Sequence, residues 1–275
     1  MKPATYFHMH LVSDSTGETL NAMAKAVTAR FEHLLPIEHI YVLVRSARQL
    51  DRVLGEIEGA PGVVLHTLVD KDLRVALEEG CRTVDTPCIA ALDPLVTVFS
   101  RYLGASISQR VGAQHQLDGD YFARIDALDY AIAHDDGQAL DGLEEADVVL
   151  TGVSRTSKTP TCIYLSHRGI KAANVPLVPG REPPPELLNA RRPLVVGLSL
   201  SPDRLIMIRR NRLTNLHEMR ETDYVDLEAV RTETTRARRL FERKNWPTID
   251  VTRRSIEETA ATVMNLLNRR EAAPS

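Results

Sequence analysis

The chain lacks the cysteine pattern of a disulfide-stabilised or zinc-binding protein. It has three cysteines, Cys81, Cys88 and Cys162, which are odd in number and include no CxxC pair. Disulfide frameworks and structural zinc sites need paired or clustered cysteines. We therefore expect neither, and the sequence assigns no residue to a resident metal site, as distinct from a Mg²⁺ that accompanies a bound phosphate.

Long apolar runs and a strong net charge are also absent. No stretch approaches the roughly 20 apolar residues of a membrane span, and the opening residues, MKPATYFHMHLVSDSTGE, lack the apolar core of a signal peptide. The net charge is −3 over 275 residues, which gives no reason to expect nucleic acid or an anionic membrane as a partner. The sequence therefore predicts a cytoplasmic protein that binds neither.

Short apolar runs alternate with amphipathic stretches along the whole chain. The runs YFHMHLVS, IEHIYVLV, GVVLHTLV and PCIAAL in the first half, and DVVLTG, AANVPLV, PLVVGLSL and TIDVT in the second, are typical of strands. The stretches between them have helical spacing, whereas 105–120 has no period and is expected to be a loop. This alternation predicts an α/β protein with mostly parallel sheets.

A polar, glycine-punctuated stretch near 137–145 indicates a boundary between two domains. The expected domains are 1–140, an N-terminal α/β domain with a mostly parallel sheet, and 141–275, a second α/β domain that contains a candidate phosphate-binding loop.

The segment TGVSRTSKT, directly after the strand ADVVL, is the strongest chemical signal. The phosphate-loop template is GxxxxGK[ST] between a strand and a helix, and Gly152, Lys158 and Thr159 match it in register. Backbone N–H groups of such a loop hold phosphate, lysine reaches the outer oxygens and threonine orders Mg²⁺. Arg155 adds a cation suited to bidentate phosphate contact.

Ser157 stands where the template has its second glycine. If the backbone needs a positive φ there, serine is strained by about 1–2 kcal/mol. An ordinary helix start with polar residues is the alternative interpretation of the segment.

Two further polar clusters are candidates for chemistry. Asp14, in SDSTGET after the first strand, lies where α/β sheets bind ligands, although a capped helix start explains it equally well. Asp135 and Asp136, in AHDDG, follow a helix end, where the dipole disfavours carboxylates. Mg²⁺ binding, a catalytic base or a solvated turn would each account for that pair.

Four arginines of SPDRLIMIRRNRL could form an anion-binding patch, but we expect a solvated helix face. They are Arg204, Arg209, Arg210 and Arg212.

Taken together, these segments resemble the bifunctional regulatory proteins of pyruvate, phosphate dikinase and of phosphoenolpyruvate synthase. The resemblance runs nearly end to end, through LVSDSTGET, FARIDALDYAIAHDDG, ADVVLTGVSRTSKTPTCIYLSHRGIKAANVPLVPG, LSLSPDRLIMIRRNRL and IDVTRRSIEETAA. The pair Thr156-Ser157 resembles the dikinase branch, since the synthase branch carries Cys-Gly there.

The resemblance implies two activities. One is an ADP-dependent Ser/Thr kinase that inactivates the dikinase by phosphorylating an active-site threonine. The other is a phosphate-dependent phosphorylase that removes this group and releases pyrophosphate. ADP, inorganic phosphate and Mg²⁺ would be the small ligands and the dikinase the protein partner. Phosphoenolpyruvate synthase is the alternative partner, and a homodimer is left open.

Carried over to this chain, the resemblance assigns nucleotide phosphates to the whole loop, with Lys158 and Arg155 stabilising charge on the transferred group. Asp135 or Asp136 would be the base or metal group, and Asp14 is the candidate for the phosphate-using reaction. The predicted binding residues are Gly152, Val153, Ser154, Arg155, Thr156, Ser157, Lys158 and Thr159.

Two other classes of function remain open. A kinase of a small metabolite would need a separate carboxylate-bearing strand for Mg²⁺, and PLVVGLSL does not end in an aspartate. A non-catalytic protein that senses nucleotide is the other alternative.

Overall fold

The structure is a computed structural model that describes residues 5–108, 111, 119–215 and 224–272. It divides into two compact units, residues 1–116 and 117–275. Each contains one four-stranded sheet whose strand pairs are all parallel. The predicted α/β class and two-domain layout are confirmed. None of the described helices is long and apolar enough to cross a membrane.

The first unit alternates strands and helices in the order expected from the apolar runs. Its elements are β1 (Thr5–Val12), α1 (Glu18–Thr28), β2 (Leu34–Tyr41), α2 (Ala47–Gly59), β3 (Gly62–His66), α3 (Lys71–Thr83), β4 (Cys88–Ala90) and α4 (Asp93–Leu103). The strand order in the sheet is β2-β1-β3-β4. Most of the expected loop 105–120 lies outside the described residues.

The second unit repeats this strand order as β6-β5-β7-β8. Its elements are α5 (Gly119–Ala133), a 3₁₀ helix (Leu140–Glu145), β5 (Val148–Gly152), α6 (Lys158–Ser166), β6 (Ala172–Pro176), α7 (Pro185–Asn189), β7 (Leu194–Ser199), α8 (Pro202–Asn215), α9 (Leu227–Lys244), β8 (Thr248–Asp250) and α10 (Ile256–Glu271). Helix α10 begins with a capping box of Ser255 and Glu258.

Strand β5 is buried along its whole length, because apolar side chains cover both faces of the sheet. Val148 and Leu150 pack in one core cluster, and Val149 packs in another. Side chains alternate between faces along a strand, so the two clusters are the two sides of the sheet. A continuous apolar run is what a parallel strand covered on both faces requires.

The division between the units falls before α5, not at the expected 140/141. Helix α5 buries Ala131 and Tyr130 in the two core clusters of the second sheet. The polar stretch that suggested a boundary contains the 3₁₀ helix, whose Leu143 is buried in the second of these clusters. Polar, glycine-containing sequence here marks a packed connection within the second unit.

Gly197 in β7 lies against an aromatic ring. A Cβ added to it would lie 2.5 Å from Cδ2 of Phe241, whose side chain is buried. We expect Gly197→Ala to destabilise the second unit by about 1–3 kcal/mol, because the ring or strand must move. Urea unfolding, monitored by the fluorescence of Trp246, the one tryptophan of the chain, measures this change in the free energy of unfolding.

The control is Gly55→Ala in α2, where an added Cβ would have no atom within 4 Å. It should leave the Trp246 transition unchanged. A Gly197→Ala midpoint equal to that of the control would show that the contact is easily relieved.

Candidate active site

The candidate site lies at the carboxyl end of β5. This inner strand pairs with β6 on one side and with β7 on the other. Ligands of α/β sheets bind at the carboxyl ends of the strands. The β5–α6 loop, residues 153–157, begins there and contains most of the predicted phosphate-binding segment.

The backbone of this segment adopts conformations that favour glycine at two residues that are not glycine. A Cβ at Gly152 would lie 2.4 Å from the Leu198 carbonyl oxygen, so glycine is needed for close packing. Arg155 has a φ of 74°, and Ser157 has φ 61° and ψ 23°. The conditional expectation for Ser157 is confirmed: it adopts the left-handed conformation, at a cost of about 1–2 kcal/mol.

The loop leads directly into the N-terminus of α6, which is the positive end of the helix dipole. Ser157 is the N-cap, but its side chain accepts no capping hydrogen bond. The Thr156 hydroxyl instead donates to the Val153 carbonyl at 3.0 Å, and the Thr161 hydroxyl donates to the Ser157 carbonyl at 2.7 Å. These hydroxyls stabilise the loop, and no side chain of the described residues accepts a hydrogen bond from the first N–H groups of α6. Such a helix start attracts anions.

Lys158 adds a buried cation at this helix start. Its side chain is 5% exposed, and Nζ donates to the carbonyl oxygens of Gly152 and Val153 at 2.9 Å each. Burial lowers its pKa to about 8, although the nearby carboxylate of Asp136 acts in the opposite direction. A desolvated ammonium beside a helix N-terminus is an arrangement that favours a neighbouring anion.

The acidic turn, residues 134–137, meets the start of α6. The Asp135 carboxylate accepts hydrogen bonds at one oxygen, Oδ1, from the Thr159 hydroxyl at 2.9 Å and from Asn174 Nδ2 at 2.6 Å. Asp136 is exposed, and no hydrogen bond or ion pair reaches its carboxylate from the described residues. The structure therefore brings the two predicted motifs together but gives the two aspartates different surroundings.

Asn174 joins these two motifs and was not predicted from the sequence. Asn174 Nδ2 also donates to the Thr159 hydroxyl oxygen, at 3.0 Å. The one signal available was an amide side chain inside the apolar run AANVP.

On the outer side of the loop, Arg155 is exposed. Its Nε donates to the Tyr224 hydroxyl at 3.3 Å, and that hydroxyl lies 3.5 Å from Ser154 Oγ. Tyr224 therefore holds one nitrogen of an exposed guanidinium beside the loop.

Arg209 corrects the expectation of a solvated arginine face on α8. The other three arginines of that cluster are exposed, but Arg209 is only 1% exposed. It pairs with both carboxylate oxygens of Glu233, at 2.8 and 2.9 Å, and donates to the Ser154 carbonyl at 3.3 Å. Arg209 shares a helix face with buried Leu205, and its partner lies on α9, which a local pattern does not show.

Asp14 lies in the first unit, just after the end of β1. It is 3% exposed, and its carboxylate accepts the Val69 N–H at 2.7 Å. The neighbouring Ser13 hydroxyl accepts a hydrogen bond from Thr67 at 3.0 Å. Both side chains therefore bind the connection that follows β3.

The chain belongs to the kinase/pyrophosphorylase family, whose model matches residues 9–264. It is 73% identical over 265 residues to a protein of Caulobacter vibrioides named "Putative pyruvate, phosphate dikinase regulatory protein", covering 96% of this chain and 84% of the relative. Proteins with the same name from Maricaulis maris and from a Bradyrhizobium strain are 57% and 56% identical, covering 96% and 97% of this chain and 94% and 96% of theirs.

The burial of Lys158 predicts how stability depends on pH. Its pKa is about 8 in the folded protein and 10.5 in an ordinary environment, so the unfolded chain binds more protons between these values. Stability must then rise with pH across this window. Relative to Lys158→Met, the wild-type free energy of unfolding should rise by about 2 kcal/mol from about pH 7.5 to about pH 10.

Urea unfolding followed by Trp246 fluorescence at both pH values measures this difference, and the other titrating groups are common to both proteins. A difference that stays constant with pH would contradict a desolvated ammonium.

Proposed function

We propose that this chain is a bifunctional regulator of pyruvate, phosphate dikinase. It phosphorylates an active-site threonine of that enzyme with ADP, and it removes the phosphoryl group by phosphorolysis, which releases pyrophosphate. The main supporting observation is the β5–α6 loop, with a left-handed Ser157 and a buried Lys158 at the start of α6. The family's description and the relatives' names agree with this chemistry and target.

In this proposal, the segment from Gly152 to Thr159 is a phosphate loop for ADP. The uncapped N–H groups of α6 hold the phosphates, and Lys158 turns from the carbonyls of Gly152 and Val153 to the phosphate oxygens. Exposed Arg155 meets the outer phosphoryl group. Both cations then stabilise the charge that develops during transfer.

The residues at the start of α6 fit a magnesium ion that accompanies the nucleotide. The Thr159 hydroxyl and the Asp135 carboxylate are hard oxygen ligands in direct contact. The described residues contain no cluster of three or more His, Cys, Asp or Glu suited to a metal. Magnesium at phosphate sites needs only one or two protein oxygens, because phosphates and water supply the rest. It would neutralise phosphate charge there.

The two reactions differ in the group that exchanges the phosphoryl group with threonine, which is AMP in the kinase reaction and inorganic phosphate in phosphorolysis. In the kinase direction, the threonine oxygen bonds to the β-phosphorus of ADP, the bond to the bridging oxygen breaks and AMP leaves. In phosphorolysis, an oxygen of inorganic phosphate bonds to the phosphorus on threonine, the threonine P–O bond breaks and pyrophosphate leaves. The second reaction is the reverse of the first with phosphate in place of AMP, so one loop suffices for both.

Asp136 is the better candidate for the proton transfer. In the kinase direction a base must take the threonine proton, and in phosphorolysis the same group must return it. Asp136 is exposed and without hydrogen bonds in the described chain, whereas the Asp135 carboxylate accepts two. A one-site scheme gives no step to Asp14, whose carboxylate binds the Val69 N–H.

The direct test is inactivation of purified dikinase by this protein with ADP, run beside phosphoenolpyruvate synthase and beside reactions with ATP. We expect ADP-dependent loss of dikinase activity, recovered on adding inorganic phosphate. Inactivation of the synthase alone would identify the alternative target. Loss of neither activity would overturn the proposal.

Lys158→Met should slow both reactions about 10²-fold or more, because it removes a preorganised charge that stabilises the transferred group. Lys171→Met is the matched control. It removes a lysine of the same unit just before β6, at the opposite end of the sheet. Initial rates of dikinase phosphorylation and dephosphorylation measure the effect. A Lys158→Met rate equal to that of the control would refute the phosphate-loop assignment.

Asp136→Asn should reduce phosphorylation and phosphorolysis by similar factors, on the order of 10² or more, because one group moves the proton in both directions. The control is Asp141→Asn, an exposed aspartate of the nearby 3₁₀ helix. The initial rates of phosphorylation and of phosphorolysis, measured for each variant, show whether the two losses are similar. Loss of phosphorylation alone would point to separate sites, and Asp14→Asn would then be the variant that impairs phosphorolysis.

A further inference from the structure

Asn174 is a polar side chain where packing favours an apolar one. It is 2% exposed in β6, between Ala173 and Val175, which belong to the apolar core. Its Oδ1 is buried and has no hydrogen-bond partner in the described part of the chain. An unpaired buried acceptor costs about 1–3 kcal/mol. Any benefit of this amide must therefore come from the hydrogen bonds that its NH₂ group donates.

The NH₂ group donates hydrogen bonds to both members of one contacting pair, Asp135 and Thr159. It donates to Asp135 Oδ1 at 2.6 Å and to Thr159 Oγ1 at 3.0 Å, and the Thr159 hydroxyl itself donates to the same Asp135 oxygen. Three polar groups from α6, β6 and the acidic turn thus form a closed set. Neither Asp135 nor Thr159 can rotate without breaking a bond to Asn174.

The acidic turn is held in place independently of this side chain. The backbone N–H of Asn174 donates to the His134 carbonyl at 3.0 Å, and its carbonyl accepts the Gly137 N–H at 2.8 Å. Any residue at this position can make these two bonds. A substitution at Asn174 therefore changes the orientation of the Asp135 carboxylate while the turn stays on β6.

We infer that Asn174 is a positioning residue that fixes the Asp135 carboxylate on the Thr159 hydroxyl. These two oxygens are thereby preset for the cation that accompanies the nucleotide phosphates, and Asp136 is left for the acceptor hydroxyl. This inference rests on the proposed function. It assigns different roles to the two adjacent aspartates: Asp135, which accepts hydrogen bonds, faces the cation, and Asp136, which accepts none from the described residues, serves the acceptor hydroxyl.

The test is Asn174→Leu, which keeps the approximate side-chain volume and both backbone bonds but removes the amide. Thermal melts are recorded without ligand, with saturating ADP alone, and with saturating ADP during a titration with magnesium chloride. We expect an unchanged response to ADP alone. The magnesium concentration that gives half of the added shift should rise about 10–100-fold, as for other lost partners of metal-binding side chains.

Thr151→Val is the matched control. Thr151 lies on the neighbouring strand β5, is fully buried, and has a hydroxyl without a partner among the described residues. The substitution removes a buried polar group from the same sheet without touching the acidic turn, so the magnesium response should stay as in the wild type. If Asn174→Leu melts far below this control, the same titration on Asn174→Ala decides.

A double-substitution cycle with Asp135→Asn tests whether Asn174 acts through Asp135. If it does, the double variant should need no more magnesium than Asp135→Asn alone. Additive losses, a wild-type magnesium response in Asn174→Leu, or weaker binding of ADP alone would each overturn the inference. A wild-type protein that shows no shift with ADP would instead overturn the proposed function and the inference with it.

Discussion

The ammonium group of Lys158 is buried at the positive end of helix α6, and its direct partners are two neutral carbonyl oxygens. Burial disfavours the charged form of the amine and lowers its pKa to about 8. The carboxylates of the acidic turn offset only part of that cost. A bound phosphate would remove the imbalance, so under the proposed function the site gives up stability of the free protein for affinity toward an anion.

The loop keeps this arrangement because it is held from two sides. On one side, buried Arg209 joins Glu233 of α9 to the Ser154 carbonyl. A buried ion pair of this kind adds little net stability, but removing one partner is costly because the other charge stays buried. On the other side, Asn174 ties Thr159 to the acidic turn. The strained conformation of Ser157 is therefore supported by contacts outside the loop.

The sequence predicted what depends on local pattern. The apolar runs predicted the strands, the strand–loop–helix context placed Lys158 at a helix start, and the missing template glycine pointed to strain at Ser157, which its φ confirms. Features that depend on distant partners were missed. Asn174 meets Asp135 across 39 positions and Arg209 meets Glu233 across 24. The domain boundary was misplaced for the same reason, since helix α5 belongs to the second unit through its packing on that unit's sheet.

The central claim is that the β5–α6 loop binds the phosphoryl group that is transferred both to and from the dikinase threonine. It is tested most directly with ADP radiolabelled in its β-phosphate, followed through both reactions on purified dikinase in one vessel. We predict that label moves onto a threonine of the dikinase as AMP forms, then leaves as pyrophosphate once inorganic phosphate is added. Both steps should be lost in Lys158→Met. Label that stays in the nucleotide, or that leaves the dikinase as free orthophosphate, would contradict the account.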